Sequence, residues 1–357
     1  MVRSYVQHLN AKDKGDNIIL KFFDYLLKNS KRNPNVHQCS QFLYGKSSDA
    51  RFRMIKKKLR AKILDALLVE KNIELNESFD EMEVWTQKLR KKVLTLNYIF
   101  HSKGSLPITN ELIEEILSNG KKYENFGVMA DALKFKKYIK GFSKGINEFN
   151  EINEKITFYE YCEQAKSRAN DHYYKLIVRH DLQSSASKNE KKKLFQEAIL
   201  ELKKDLKYTE SGVVAYYLKT IEVAYFHETY DYLAARDSCL DLLKIIREYP
   251  SVYKNIRVGI TFDYLGECDV FLGDYEKAIS NFRAAQKIFT DHSKNYLVSK
   301  ELELKTLIYA DEIPSAEKAL KEIVGHKDVA VMGDFARADM PIIKQTYFSK
   351  RRTIKRH

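Results

Sequence analysis

Helix-breaking residues are scarce in this chain, which has 5 prolines and 13 glycines among its 357 residues. Proline lacks a backbone donor and glycine costs backbone entropy, so both residues mark turns between elements. A chain with few of them favours long helices over many short strands. Hydrophobic residues make up 44% of the sequence, which is enough to bury a core. We therefore expect an all-α fold.

Positive charge is concentrated at the two ends of the chain. Residues 1–71 carry 16 Lys/Arg against 6 Asp/Glu, and residues 325–357 carry 8 against 3, which gives net charges of +10 and +5. The whole chain has a net charge of +13, so residues 72–324 carry −2. Basic ends attract nucleic acid, anionic partners or a membrane surface, whereas a solvated lysine-rich face needs no partner. Charge alone leaves both interpretations open.

Cysteine usage and the absence of long apolar runs indicate the compartment. The four cysteines lie far apart and form no CxxC pair, which favours buried free thiols in a reducing environment. They are Cys39, Cys162, Cys239 and Cys268. Residues 1–10 lack the apolar run of a signal peptide, and no stretch approaches the roughly 18 apolar residues of a membrane span. We expect a cytoplasmic protein with no membrane span.

Three helices are predicted in the basic N-terminal region, residues 1–75. Hydrophobic spacing places them at 17–28, 35–44 and 47–71. Gly45 marks the turn between the second and third helices, and Ser47 or Ser48 can cap the third. The apolar stripe of the third helix consists of Phe52, Ile55, Leu59, Ile63 and Ala66.

The opposite face of the third predicted helix is cationic. A short helix, a turn containing Gly45 and a longer cationic helix form the outline of a helix-turn-helix. The cations that would contact phosphates are Arg51, Arg53, Lys56, Lys57 and Arg60. No residue is recognisable as a base reader, and many ordinary helix pairs share this outline. Nucleic-acid contact and a plain solvated face are therefore two open interpretations.

Residues 259–290 have the spacing of two helices packed as a hairpin. The marker residues are Phe262, Leu265, Gly266, Gly273, Tyr275, Ala278, Phe282 and Ala285. Gly266 and Ala278 are small, so two helices can approach closely there. Gly273 suits the turn between the helices, and Phe282 suits the gap toward the neighbouring hairpin.

This pattern resembles the tetratricopeptide repeat, whose first helix is marked by an aromatic residue, Leu and Gly, and whose second helix is marked by Ala, an aromatic residue and Ala. The chain departs from the family at Asp269 and Thr290, where Tyr and Pro are usual. The resemblance implies a right-handed superhelical array of antiparallel helix pairs, an α-solenoid, that binds peptides on its concave face. First-helix side chains form that face in the family. The candidates here are Tyr216, Lys219, Tyr264 and Asp263.

Weaker copies surround the clear repeat. The second-helix alanines Ala235, Ala278 and Ala319 lie 43 and 41 residues apart, compared with about 34 in the family. An isolated hairpin cannot bury its apolar face, so at least three are expected to stack over residues 184–324.

The remaining segments give a weaker signal. Residues 76–183 are expected to form degenerate repeats or a bundle, and residues 325–357 a basic, flexible tail. The polar run 184–193 is the linker candidate, with the next helix expected to start from Glu190 onward. Helices are predicted at 79–101, 109–118 and 124–139, with breaks at 102–105 and 141–145.

The sequence contains no recognisable catalytic or cofactor motif. Residues 45–47 resemble the end of a phosphate-binding loop, but Ser40 stands where that loop needs glycine. Two histidine pairs lack a third ligand at metal spacing, namely His37 with Cys39 and His227 with Glu228. No GxSxG elbow or dinucleotide loop is present. We expect no catalytic, cofactor-binding or metal site.

The leading functional hypothesis is a non-enzymatic scaffold that binds a protein or peptide through its repeats. An alternative is a regulator that binds nucleic acid with its basic N-terminal helices and uses the repeats as a sensor. A third is an enzyme whose carboxylates and histidines converge only in space. The repeat pattern favours the first hypothesis, and the charge of residues 1–71 motivates the second.

Overall fold

The computed structural model of this protein describes residues 17–46, 50–68, 80–102, 104–178, 187–291 and 293–326. Within these ranges the chain forms helices, turns and loops and contains no strand, so the all-α prediction is confirmed there. The predicted caps Ser47 and Ser48 lie outside the described residues. So do residues 327–357 of the predicted tail.

The described helices fall into two compact units, of which the first contains three helices. They are α1 (Asn17–Lys28), α2 (Val36–Tyr44) and α3 (Ala50–Leu68). Asn35 caps α2 in a capping box with Gln38, and Gly45 ends it in the left-handed conformation at φ +67°. Helix α1 packs on both α2 and α3. Their shared core includes Ile19, Phe22, Cys39, Phe52, Ile55 and Leu59.

The second unit contains eleven α-helices in its described residues. They are α4 (Glu81–His101), α5 (Leu106–Lys122), α6 (Phe126–Lys144), α7 (Ile146–Tyr173), α8 (Lys188–Thr209), α9 (Gly212–Glu228), α10 (Tyr232–Glu248), α11 (Asn255–Phe271), α12 (Tyr275–Gln286), α13 (Lys294–Tyr309) and α14 (Ile313–Val324). Each helix packs on its neighbours in sequence, and α7 also contacts α9 while α11 contacts α13. None of the described helices is both long and apolar enough to span a membrane.

Helix α7 is the longest element of this unit, with 28 residues and therefore a length of about 42 Å. A π-helical turn, Tyr174–Val178, continues it. Ile152 and Ile156 in its first half pack against α6. Ala165 and Ala169 in its second half pack against α8 and α9. One continuous helix therefore supports two groups of hairpins.

Four helix pairs turn through the same hydrogen-bond pattern. In each, a residue with positive φ precedes the N-cap of the second helix: Glu124, Tyr230, Gly273 and Asp311. The N-cap amide donates to a carbonyl five residues earlier, which is the closure of a Schellman motif. The bonds run from Asn125 to Gly120 at 2.8 Å, and from Asp231 to Phe226, Asp274 to Asp269 and Glu312 to Leu307 at 2.9 Å each.

The hairpin predicted over residues 259–290 is formed by α11 and α12. Leu265, Gly266, Ala278, Phe282 and Ala285 are buried, Phe262 and Tyr275 are half-buried, and Gly273 has φ +80° in the turn. A Cβ at Gly266 would lie 2.4 Å from Cε1 of Phe282, so the phenyl ring occupies the space that a side chain would fill. The ring thus packs within its own hairpin, where we expected it to reach the neighbouring one.

In the hairpin formed by α13 and α14, the alanine equivalent to Ala235 and Ala278 is not the one predicted. Ala235 and Ala278 are the fourth residues after the N-caps Asp231 and Asp274. The fourth residue after the N-cap Glu312 is Ala316, which is fully buried, and not Ala319. The equivalent alanines are therefore 43 and 38 residues apart.

An ion pair recurs between successive hairpins. In each case a cation on a second helix contacts a buried acid on the next first helix. The pairs are Lys203–Glu222 at 2.9 Å, Arg236–Asp269 at 2.8 Å and Arg283–Glu303 at 2.7 Å. Loss of the cation would remove the partner that a buried acid has on the preceding hairpin, so these pairs stabilise the packing of one hairpin on the next.

Three predicted boundaries are corrected by the structure. Glu124 lies in a turn and does not begin a helix, because α6 starts at Phe126. The break predicted at 141–145 narrows to Gly145, since α6 continues to Lys144. The predicted linker 184–193 overlaps α8, which starts after the N-cap Ser187, while residues 184–186 lie outside the described residues.

Candidate functional site

A cavity of about 470 Å³ lies among the C-terminal ends of α9 and α11, the start of α10 and the π-helical turn after α7. This volume is within the roughly 300–1,000 Å³ range of ligand pockets. Five of its thirteen lining residues are aromatic, two are glutamates and one is histidine. These eight residues are Phe195, Tyr230, Tyr232, Tyr264, Phe271, Glu228, Glu267 and His227.

Aromatic rings form one wall of the cavity. Tyr232 and Phe271 stack with their ring centroids 4.3 Å apart and their planes at 7°. The edge of His227 faces both rings, at 5.6 Å from Tyr232 and 6.3 Å from Phe271. Phe271 and Tyr230 are exposed over 60% and 67% of their surface, so a ligand can reach their rings from solvent.

Glu267 supplies a carboxylate inside the cavity, one helical turn before Phe271 on α11. Burial raises the pKa of Glu267, and the nearby charges of His227 and Lys305 oppose that rise. Among the described residues, no side chain or backbone amide donates a hydrogen bond to this carboxylate. The cavity therefore contains an acceptor that the surrounding protein does not satisfy.

His227 is held by a sulfur contact behind the cavity wall. Its Nε2 lies 3.4 Å from Sγ of Cys268. Burial alone would lower the pKa of His227, but the contact with Cys268 and the charge of Glu267 raise it. The interaction between the neighbouring thiols lowers the pKa of Cys268 and raises the pKa of Cys239. Both thiols are fully buried, so the cluster positions the histidine and is closed to solvent.

A second, more open depression adjoins the turns that follow α11 and α13. Two of its charged side chains, Arg283 and Asp274, are already paired within the protein. Arg283 contacts Glu303 and Lys277 contacts Asp274. We therefore regard the cavity beside Glu267 as the stronger candidate.

One of the four residues predicted for the concave face lines this cavity, namely Tyr264. Tyr216 lies under the guanidinium of Arg257, 4.3 Å from its ring centroid. Lys219 forms ion pairs with Glu222 and Asp241. The fourth residue, Asp263, accepts a 2.7 Å hydrogen bond from Ser299 on α13.

Sequence analysis considered His227 and Glu228 only as an incomplete metal pair, and it missed the remaining polar and aromatic residues of the cavity. Glu267 and Phe271 share a helix face with spacing i, i+4, and Tyr230 and Tyr232 flank the N-cap Asp231 of the next helix. That spacing is visible in the sequence, but it identifies cavity residues only when the alignment of one hairpin against the next is known.

The predicted nucleic-acid residues all lie exposed on α3. They are Arg51, Arg53, Lys56, Lys57 and Arg60. Phe52, Ile55 and Leu59 are buried on the opposite face of the helix. The guanidinium of Arg51 lies 4.7 Å from the ring centroid of Tyr44. The buried apolar residues and the exposed cations therefore lie on different faces of the helix, although Met54 and Leu64 are also exposed.

In comparisons with known proteins, no protein-family model matches the chain and no curated protein shows significant similarity to it. The chemistry of the cavity therefore has to be argued from its own residues. Within the described part of the chain, no three His, Cys, Asp or Glu side chains converge as a metal-ion site. The cavity offers aromatic surface together with the half-buried carboxylate of Glu267.

Proposed function

We propose that this protein is a non-enzymatic scaffold that binds a peptide segment of a partner protein in the cavity beside Glu267. The observation that carries the proposal is the concave, aromatic-lined cavity formed chiefly by first helices. Aromatic side chains supply large, rigid contact area and dominate the energetics of recognition surfaces.

The hairpins α9/α10, α11/α12 and α13/α14 form, in this proposal, an irregular right-handed superhelical array of tetratricopeptide type. The shared turn closure and the repeated ion pair between hairpins support equivalent packing from one hairpin to the next. The first helices would then face a common groove.

Selection of peptides from a displayed random library on the full-length protein tests the proposal. We expect enriched peptides to bind at least tenfold more weakly to Phe271→Ala, because this exposed ring stands at the cavity. Fluorescence anisotropy with the synthetic peptides measures the affinity.

Phe142→Ala is the matched control, since Phe142 is an exposed phenylalanine on α6 that does not line the cavity. We expect its affinity to equal that of the unchanged protein. Failure of any peptide to enrich, or equal binding by both variants, would contradict peptide recognition at this cavity.

A second candidate function is favoured by the cationic face of α3. In this alternative, the first unit binds a nucleic-acid backbone and the repeats act as a sensor. Among the described residues, Arg53, Lys57 and Arg60 are exposed and form no ion pair, so they are available to phosphates.

Titration of a DNA duplex and a single-stranded RNA against salt tests this alternative. Replacing Arg53, Lys56, Lys57 and Arg60 by Gln is expected to weaken binding and to reduce the salt slope by up to about 4. A control with the same loss of charge replaces the exposed Lys207, Lys244, Lys318 and Lys321 by Gln. Equal effects of the two variants, or no binding at low salt, would exclude backbone recognition by α3.

A further inference from the structure

We propose that the cavity beside Glu267 binds a lysine or arginine side chain of the partner polypeptide, an inference that rests on the scaffold function proposed above. Three features of the cavity support this preference for a cation. They are the charge of its lining, the lack of a hydrogen-bond donor to Glu267 among the described residues, and the placement of its aromatic rings.

The charge of the lining is opposite to that of the chain. The chain contains 62 Lys/Arg and 49 Asp/Glu, yet none of the described residues that line the cavity is a lysine or arginine. Glu228 and Glu267 both belong to the lining. An acidic side chain of a ligand would meet these two carboxylates at close range, whereas a basic one would be attracted.

The neighbouring basic side chains contact other groups and donate no hydrogen bond to Glu267. His227 directs its Nε2 to Cys268, and Lys305 is paired with Glu301 one turn away on α13. An apolar ligand would cover the Glu267 carboxylate without satisfying it, at a cost in affinity. An ammonium or guanidinium group would instead donate a charge-assisted hydrogen bond to it.

The rings of the wall and rim suit a cation as well. Stacked Tyr232 and Phe271 line the same cavity as the carboxylate of Glu267, and cations bind favourably over aromatic faces within about 6 Å of the centroid. The protein already uses this chemistry at the rim, because Nζ of Lys188 lies 4.8 Å from the ring centroid of Tyr230. The methylene stem of a lysine or arginine would pack along the same rings.

Anisotropy with four fluorescein-labelled nonapeptide libraries tests the inference on the full-length protein. The libraries differ only in a fixed central residue, which is lysine, arginine, norleucine or glutamate. We expect the lysine and arginine libraries to bind at least tenfold more tightly than the norleucine library, and the glutamate library to bind most weakly. Glu267→Gln should reduce the preference for lysine over norleucine to within twofold.

Glu248→Gln is the matched control, since Glu248 is an exposed glutamate on α10 outside the cavity. It should keep the tenfold preference, and circular dichroism should show that both variants fold. Saturable binding without a preference for the basic libraries, or an unchanged preference in Glu267→Gln, would overturn cationic recognition and leave peptide binding intact. Absence of saturable binding by all four libraries would overturn the scaffold function itself.

Discussion

The backbone amide of Gly212 donates a 2.7 Å hydrogen bond to the carboxylate of Glu124, which lies 88 residues earlier in the chain. The hydroxyls of Ser211 and Ser251 donate to the same carboxylate at 2.5 and 3.1 Å. An acidic side chain therefore caps the N-terminus of α9, where the helix dipole favours it. Lys166 on α7 donates a 2.5 Å bond to the carbonyl of Glu124 and holds the turn in place.

Removal of this distant cap should destabilise the protein. We expect Glu124→Ala to lower the free energy of unfolding by about 2–4 kcal/mol, because it leaves buried donors of Ser211, Gly212 and Ser251 without an acceptor. Urea unfolding measures the loss. Glu210→Ala is the control, because Glu210 also has positive φ but is exposed. Equal losses in the two variants would show that backbone strain, and not the carboxylate, is responsible.

The close approach of Gly266 and Phe282 predicts a steric penalty. A Cβ at Gly266 would lie 2.4 Å from the ring, so Gly266→Ala should cost about 1–3 kcal/mol of stability. Adding Phe282→Leu should recover part of the loss, which a double-mutant cycle measures. Gly127→Ala is the control, because its Cβ would meet no described atom closer than 3.6 Å. Gly127→Ala lies in a helix and should leave stability unchanged or raise it. A loss of stability similar to that of Gly266→Ala would refute the steric explanation.

Asp263 predicts a pH-dependent stability. Burial raises the pKa of this carboxyl from 3.8 to about 7. The folded state then keeps a proton that the unfolded state releases, so the stability contribution is fully present below pH 3.8 and is lost as pH rises through 7. Asp263→Asn retains an acceptor for Ser299 and cannot ionise. Its stability advantage over the unchanged protein should grow by roughly 3 kcal/mol between pH 4 and pH 8.

Thermal unfolding at the two pH values measures this advantage. Asp237→Asn serves as the control, because Asp237 is exposed and should show no comparable trend. A melting-temperature difference for Asp263→Asn that does not change with pH would be inconsistent with a protonated Asp263.

The ion pairs between hairpins predict unequal losses of stability for two similar substitutions. Arg236→Ala should lower stability by about 2–3 kcal/mol, because Asp269 is buried and would keep only the 2.8 Å bond from Asn281. Lys244→Ala removes the exposed pair with Glu248 and should cost less than about 1 kcal/mol. Chemical denaturation of both variants provides the comparison, and equal costs would argue against a role for burial.

Part of the fold could be predicted because one hairpin uses residues with a strong local preference. Gly273 tolerates positive φ, so the turn at this residue can be predicted from the sequence. Tyr230 and Asp311 also adopt positive φ although neither is glycine. At these two residues the conformation is determined by tertiary contacts and not by local preference. The missing glycine at Asp311 also explains why the alanine register of α14 was predicted at Ala319 and not at Ala316.

The cavity was largely beyond prediction because it depends on how separate helices are oriented. Tyr264 was identified from its place on a first helix, but the role of Glu267 depends on which neighbours face it across α9 and α13. The hydrogen bond between Gly212 and Glu124 could not be predicted either, since no local sequence pattern connects residues 88 positions apart. Such relationships belong to packing and carry no periodic signal.

The length of α7 has a consequence for how this protein can change over time. Arrays of independent hairpins gain or lose units readily, because each repeat contacts only its neighbours. Here one unbroken helix packs against α6 with its first half and against α8 and α9 with its second. An insertion within it would rotate one group of hairpins relative to the other by about 100° per residue. The segment from α6 to α9 should therefore tolerate insertions and deletions less well than a hairpin that contacts only its neighbours.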